Sequence, residues 1–165
     1  MDNKRTDRDK SLADLERAVN QAAAYLAEAD EALWDGHQTA REVLAHLVFW
    51  HREYLTVARA LAQEEEPSLK QGTFAELNAA AAREFADVPL DRLARRWLAL
   101  QVALNAVLRR LPDWQADFPV KHGGRKKAVV KRVAGIQAHI RHHLRRLQRA
   151  ERLGQDWVSA YYEES

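Results

Sequence analysis

The chain has 165 residues, 47% of them hydrophobic and 30% charged, with a net charge of +2, and this balance favours one globular domain over residues 1–165. It contains no cysteine, which excludes a disulfide framework, a thiolate metal site and a cysteine nucleophile. The charged first ten residues lack the apolar segment of a signal peptide, and no apolar stretch approaches the roughly 20 residues that cross a bilayer, so we expect a cytoplasmic protein without a membrane span.

The first predicted helix runs from about Ser11 to Asp30, after a segment, residues 1–10, that we expect to be flexible. Apolar residues recur every three or four positions between Leu12 and Leu26, which is the pattern of an amphipathic helix. Residues 32–37 break this pattern and are predicted to connect the first helix to the second.

The second predicted helix begins at a capping box, Thr39 to Glu42, and ends shortly before Pro67. His46 and Trp50 lie four residues apart on it and therefore share one side, flanked by apolar residues. His51 lies about 140° around the helix from His46, too far to serve the same site. Surface or loop positions are predicted for His37, His51 and His122.

The third predicted helix starts at another capping box, Thr73 to Glu76, and is interrupted near Pro89. Helical periodicity resumes at about Leu90 and stops at Leu111, just before another proline. A loop is predicted at residues 113–125, and no stretch of the chain predicts a strand.

The last predicted helix runs from about Lys126 to Leu153 and is followed by a tail, residues 155–165. His139 and His143 are four residues apart on it, so both point from one face, at a spacing that lets two imidazoles hold one metal ion. His142 lies beside that face and is predicted to be either exposed or an outer partner of the ligands rather than a ligand. Two histidines make half a metal site, and His46 is the best candidate for a third ligand.

Four amphipathic helices without a strand predict an all-α fold, a four-helix bundle. The order of three features makes the prediction more specific: Trp34 in the connector, Glu-Val-Leu-Ala-His-Leu at 42–47, and His-Ile-Arg-His-His-Leu at 139–144. This order resembles the DinB-like superfamily, the DNA-damage-inducible four-helix bundles that include metalloenzymes. Trp50 and the pair at 77–78 more loosely resemble its DfsB/ClbS branch.

The resemblance covers residues 33–149 and implies a bundle with a crossover connection and a divalent metal, zinc or nickel, held by His46, His139 and His143. It also implies a homodimer and a stress-response or detoxification enzyme. Such an enzyme uses the metal to activate water or a low-molecular-weight thiol cosubstrate against a small electrophilic substrate, as a thiol transferase, an isomerase or a hydrolase. The family ending Arg-Gly-Gln after the final histidine is absent, since Leu-Arg-Arg-Leu-Gln stands at 144–148.

Two alternatives to an enzyme remain open at this stage. The first is a metal-free interaction or stress-response bundle whose histidines are vestigial. The second is nucleic-acid binding, because residues 121–152 carry eleven Lys/Arg and one acid, with basic side chains aligned at Arg141, Arg145, Arg149 and Arg152. We rank nucleic-acid binding lower, because the chain contains no recognised nucleic-acid-binding motif and no interleaved aromatic platform.

Overall fold

The computed structural model describes residues 2–154, so the predicted tail lies outside the described part of the chain. The described residues form five helices: α1 Asp2–Ala27, α2 Ala40–Ala62, α3 Phe74–Glu84, α4 Leu90–Arg110 and α5 Val129–Leu153. The predicted all-α class is confirmed. The predicted interruption before Leu90 is confirmed as well, since α3 and α4 are separate helices.

Two strands of two residues each, β1 Asp117–Phe118 and β2 Lys127–Ala128, pair antiparallel, so the prediction of no strand is wrong at this one place. The pairing lies directly before α5, whose N-cap residue makes no side-chain capping bond. The first N–H groups of the helix, those of Val129 and Val130, instead donate hydrogen bonds to the carbonyls of Ala116 and Trp114, at 3.0 and 3.1 Å. The loop thus completes the start of α5, an interaction that no local sequence pattern predicts.

Helix α1 begins at Asp2, so residues 2–10 are helical where the sequence predicted a flexible segment. The first turns are tied to the far end of α4 by Arg8, whose guanidinium donates to the carbonyls of Leu111 and Pro112 at 3.3 and 3.1 Å. The same guanidinium lies over the ring of Trp114, 5.3 Å from its centroid. These tertiary contacts explain why charged residues without an apolar stripe still extend the helix.

The predicted caps are largely confirmed. The Thr73 side chain and the Glu76 carboxylate cap α3 reciprocally, which completes a capping box. At α2, the Thr39 hydroxyl accepts the Glu42 N–H at 3.2 Å and donates back to the Glu42 carboxylate. Gly154 ends α5 with a positive φ of 86°, as the predicted C-cap.

Helices α2 and α4 lie side by side and run in the same direction. His51 on α2 contacts Gln101 on α4, and further along both helices Arg59 and Arg110 line one cavity. Two parallel helices need a connection that returns the chain to the starting end, and residues 63–89 with α3 provide this crossover. A crossover connection is therefore present in the bundle.

The other two long helices run against this pair. Helix α1 is antiparallel to α4, with Glu16 near Asn105 and Arg8 near Leu111. Helix α5 is antiparallel to α2, because His46 meets His139 near the start of α2 while the second half of α2 packs on the start of α5. This antiparallel packing brings the histidines of α2 and α5 to the same level.

The hydrophobic core draws buried residues from all five helices, and Trp97 of α4 is fully buried in it. Burying each leucine or isoleucine side chain contributes roughly 1.5–3 kcal/mol, so packing between helices is the main stabilising term. Within residues 2–154, no helix combines the length and the apolar character that crossing a membrane requires.

Candidate metal centre

The three histidines singled out by the sequence converge on one point. The Nε2 atom of His139 lies 3.3 Å from Nε2 of His46 and 2.9 Å from Nε2 of His143. The ring centroids are 4.5 to 5.0 Å apart. One ligand atom from each residue lies within 4.8 Å of the other two, so this group can hold a metal ion. We call these residues the histidine cluster.

The cluster is closed on the core side and open on the other. His46 and His143 are only 7% and 5% exposed, whereas His139 is exposed. His139 and His143 occupy successive turns of α5, and the packing of α2 against α5 supplies His46. A metal held here would therefore lie at the edge of the bundle with one side facing solvent.

The electrostatics of the cluster favour neutral rings. Burial, followed by the charge of the neighbouring His139, lowers the pKa of His46 to about 4. Burial, followed by the charges of His139 and His46, lowers the pKa of His143 to about 3. The pKa of His139 is lowered too, first because part of its ring is shielded from solvent and then by His142. At neutral pH each ring therefore keeps a lone pair for a metal ion.

Hydrogen bonding alone does not account for this geometry. A neutral imidazole nitrogen carries either one N–H or one lone pair, so Nε2 of His139 cannot pair fully with both of its neighbours. The buried Nδ1 atoms of His46 and His143 have no hydrogen-bond partner within residues 2–154. With a Zn–N distance of about 2.1 Å, tetrahedral coordination spaces ligand nitrogens about 3.4 Å apart, close to the observed contacts. The donor set therefore fits a divalent metal.

In most metal sites each ligand histidine donates its second N–H to an acceptor. The buried Nδ1 atoms of His46 and His143 have no such acceptor within residues 2–154, so the outer contacts of the cluster differ from those of most metal sites.

Glu42 lies one turn before His46, and its carboxylate accepts a hydrogen bond from the Thr39 hydroxyl at 3.2 Å, which is its capping role. Its position on α2 is thus explained without a part in catalysis.

Asp35 is a buried residue that the sequence reasoning missed. Its Oδ1 accepts the N–H groups of His37 and Gln38 at 2.8 Å each and lies 3.4 Å from the Arg146 guanidinium. Arg146 follows His143 by three residues, so Asp35 ties the connector between α1 and α2 to the part of α5 that carries the cluster. The signal in the sequence is an aspartate followed by glycine, which is typical of a turn that bonds its own backbone.

The remaining histidines divide into predicted and unpredicted positions. His142 is exposed, with its ring centroid 5.9 Å from that of His143, and His37 and His122 are exposed as predicted. The surface position predicted for His51 is wrong. It is 2% exposed, and its Nε2 lies 2.6 Å from Oε1 of Gln101. The reason is that α4 covers this side of α2, so α2 is buried around most of its circumference.

The aligned arginines of α5 form a separate outer surface. Arg141, Arg145, Arg149 and Arg152 are all exposed. Their side of α5 is thus distinct from the one that carries the buried His143.

Comparison of the chain with protein-family models, with curated proteins and with solved structures gives no match.

Proposed function

We propose that the chain is a metal-dependent enzyme of the DinB-like superfamily. Its metal, zinc or nickel, is held by the histidine cluster of His46, His139 and His143. The enzyme activates a thiol or water against a small electrophilic substrate, as a thiol transferase, an isomerase or a hydrolase in stress response or detoxification.

One observation carries the proposal: three neutral imidazoles from two helices direct the same ring nitrogen at one point. Three protein ligands leave a coordination position open, which is typical of catalytic rather than structural sites. The order of the helices, the crossover after α2 and the position of the histidines on α2 and α5 support membership of the superfamily.

A bound divalent metal supplies Lewis acidity, which lowers the pKa of a coordinated thiol or water. The chain itself supplies the holding and shielding of that site. His46 and His143 hold their nitrogens in a dry environment, while the exposed side of His139 leaves an approach from solvent. Because the chain has no cysteine, a thiol nucleophile has to come from a cosubstrate.

A substrate-binding wall lies next to the cluster in this proposal. Trp50 is one turn beyond His46 on α2, and its indole N–H donates to the Asn78 side chain at 2.7 Å. The ring of Phe74, which is 54% exposed, lies 5.3 Å from the ring of Trp50. An exposed aromatic ring above a fixed indole offers an apolar surface to a small organic substrate.

The decisive experiment is elemental analysis of untagged protein purified without added metal. We expect stoichiometric zinc or nickel in the native chain and background metal in His143→Ala. The matched control is His142→Ala, which removes an exposed histidine one position away and should retain the metal. Equal, negligible metal in native protein and His143→Ala would favour the metal-free interaction bundle.

Catalysis requires a second measurement on the metal-loaded protein. We expect consumption of an electrophile such as chlorodinitrobenzene with one member of a thiol panel containing glutathione, bacillithiol and mycothiol. His143→Ala should lose this activity and His142→Ala should keep it. Sedimentation of the full chain tests the proposed homodimer.

Nucleic-acid binding is the second candidate, supported by the four exposed arginines of α5. It predicts a mobility shift with random DNA that weakens steeply with salt. Arg141→Gln combined with Arg145→Gln should weaken that shift and leave the metal content unchanged.

A further inference from the structure

A second candidate site lies in a groove between α2 and α4, with a cavity of about 400 Å³. Its floor and walls are mostly apolar, and three arginines stand at its rim. The lining residues used below are Arg52, Leu55, Arg59, Phe85, Arg96 and Ala103. We call this cavity the arginine groove.

The arginine groove is separate from the histidine cluster. Its residues on α2 form one stripe, in which Arg52, Leu55 and Arg59 follow one another at intervals of three and four. At about 100° per residue, this stripe lies roughly on the opposite side of α2 from His46. A ligand in the groove would therefore not contact the metal site.

The charges of the groove are only partly neutralised. Arg52 is paired with Glu84, with one contact of 2.9 Å, and its guanidinium lies 5.6 Å from the ring centroid of Phe85. The charge of Arg96 helps to lower the pKa of Glu84, after the Arg52 hydrogen bond as the main cause. Neither Arg59 nor Arg96 forms an ion pair within residues 2–154. Arg52 also lies 3.9 Å from the carboxylate of Glu53, so both carboxylates near the rim, Glu84 and Glu53, are paired with Arg52.

We propose that the arginine groove binds a small amphipathic anion, an apolar body with a carboxylate or sulfonate head. The volume lies within the range of about 300–1,000 Å³ found for small-molecule sites. Leu55, Phe85 and Ala103 present apolar surface to the body of the ligand, and Arg59 and Arg96 remain available to its charged head. Guanidinium groups bind carboxylates through paired hydrogen bonds, which gives the head a fixed orientation.

The test uses the full chain with anilinonaphthalene sulfonate as a fluorescent probe and decanoate as a competitor. We expect decanoate to displace the probe, and acetate and methyl decanoate, which lack the apolar body and the charge respectively, to leave it bound. Arg59→Gln combined with Arg96→Gln should weaken probe binding roughly tenfold, allowing for solvent screening of both arginines. The matched control, Arg141→Gln with Arg145→Gln, removes the same charge from α5 and should leave the affinity unchanged.

A second variant tests the cavity itself. Ala103→Leu fills the groove and should abolish probe binding, with circular dichroism and thermal unfolding checking the fold. The proposal is overturned by equal affinity in the groove and control variants, or by displacement with methyl decanoate as effective as with decanoate. It is also overturned if sedimentation shows that Ala103→Leu separates associated copies, because the groove is then an interface between chains. None of these readouts depends on the bound metal.

Discussion

Two buried histidines on α2, His46 and His51, lie five residues apart and are used in different ways. Burial lowers the pKa of each to about 4, and each is less than a tenth exposed. His51 contacts a complementary group, the Gln101 side chain, at 2.6 Å. His46 contacts another imidazole nitrogen, the Nε2 of His139, at 3.3 Å.

The partners of each ring decide what it can do. The Gln101 side-chain amide donates to the Asn105 side-chain oxygen at 2.8 Å, and the Asn105 amide donates to the Glu16 carboxylate of α1 at 3.3 Å. Together with His51 on α2, this buried polar network joins α1, α2 and α4. Its donors and acceptors alternate, which satisfies buried polar groups and stabilises one arrangement of the helices. The histidine cluster brings like groups together instead. Burial and a lowered pKa are thus common to both regions, and only the convergence of equivalent nitrogens distinguishes the histidine cluster as a candidate metal site.

The largest expected effect separates the two regions by metal affinity. His143→Ala should lower the affinity for zinc by more than about a hundredfold. Losing only a residue that hydrogen-bonds a ligand costs up to about a hundredfold, and losing the ligand itself should cost more. His51→Gln should leave zinc affinity within about twofold, because His51 is directed at α4. Competition with a chelator measures both values, and equal losses in the two variants would remove the distinction between the regions.

The next effect is the pH dependence of stability, measured on metal-free protein. As the pH falls below about 6.5, unfolded His51 takes up a proton, while folded His51 stays neutral until its pKa of about 4. The free energy of unfolding should therefore fall between these values, by roughly 3 kcal/mol from His51 alone. Denaturant unfolding of native protein and His51→Leu at pH 7 and pH 4 measures the difference. If the free energy of unfolding of His51→Leu fell as much between pH 7 and pH 4 as that of the native protein, the assigned burial of His51 would be contradicted.

A smaller effect compares the two regions in metal-free protein at pH 7. Gln101→Leu leaves His51 and Asn105 without their buried partner, and should cost about 2 kcal/mol of unfolding free energy. His46→Leu replaces a poorly paired ring by an apolar side chain, and should cost under about 1 kcal/mol. Denaturant unfolding ranks the variants. If His46→Leu were the more damaging, the cluster would be a structural network rather than a ligand set.

The smallest effect concerns Gly135, one turn before His139 on α5. A Cβ built on Gly135 meets no atom within 4 Å, so a methyl group fits there. Gly135→Ala should raise the free energy of unfolding by about 0.5–1 kcal/mol, because glycine is a poor helix former, and should leave metal affinity unchanged. Thermal unfolding measures the stability, and competition with a chelator measures the metal affinity. A lower metal affinity in Gly135→Ala would contradict the prediction, because the added methyl group would then disturb the histidine cluster.

Local sequence determined the helices and their ends to a large extent. Capping residues such as Thr73, the prolines near residues 67 and 89, and the apolar periodicity act over a few positions, so the chain itself sets where most of its helices start and stop. The pairing of His139 with His143 follows from helical periodicity in the same way. The sequence pattern does not predict the start of α1 at Asp2, because the contacts of Arg8 with the end of α4 are tertiary.

Only the tertiary structure decided which side of α2 meets which helix. The antiparallel packing of α5 against α2 brings His46 to His139, and the parallel packing of α4 buries His51 against Gln101. The sequence predicted a surface position for His51, and this is wrong because a side chain's position on a helix is local but its partner is distant in sequence. The physical reason is that helices are specified by contacts three or four residues apart, whereas burial and ligand convergence depend on how whole helices pack.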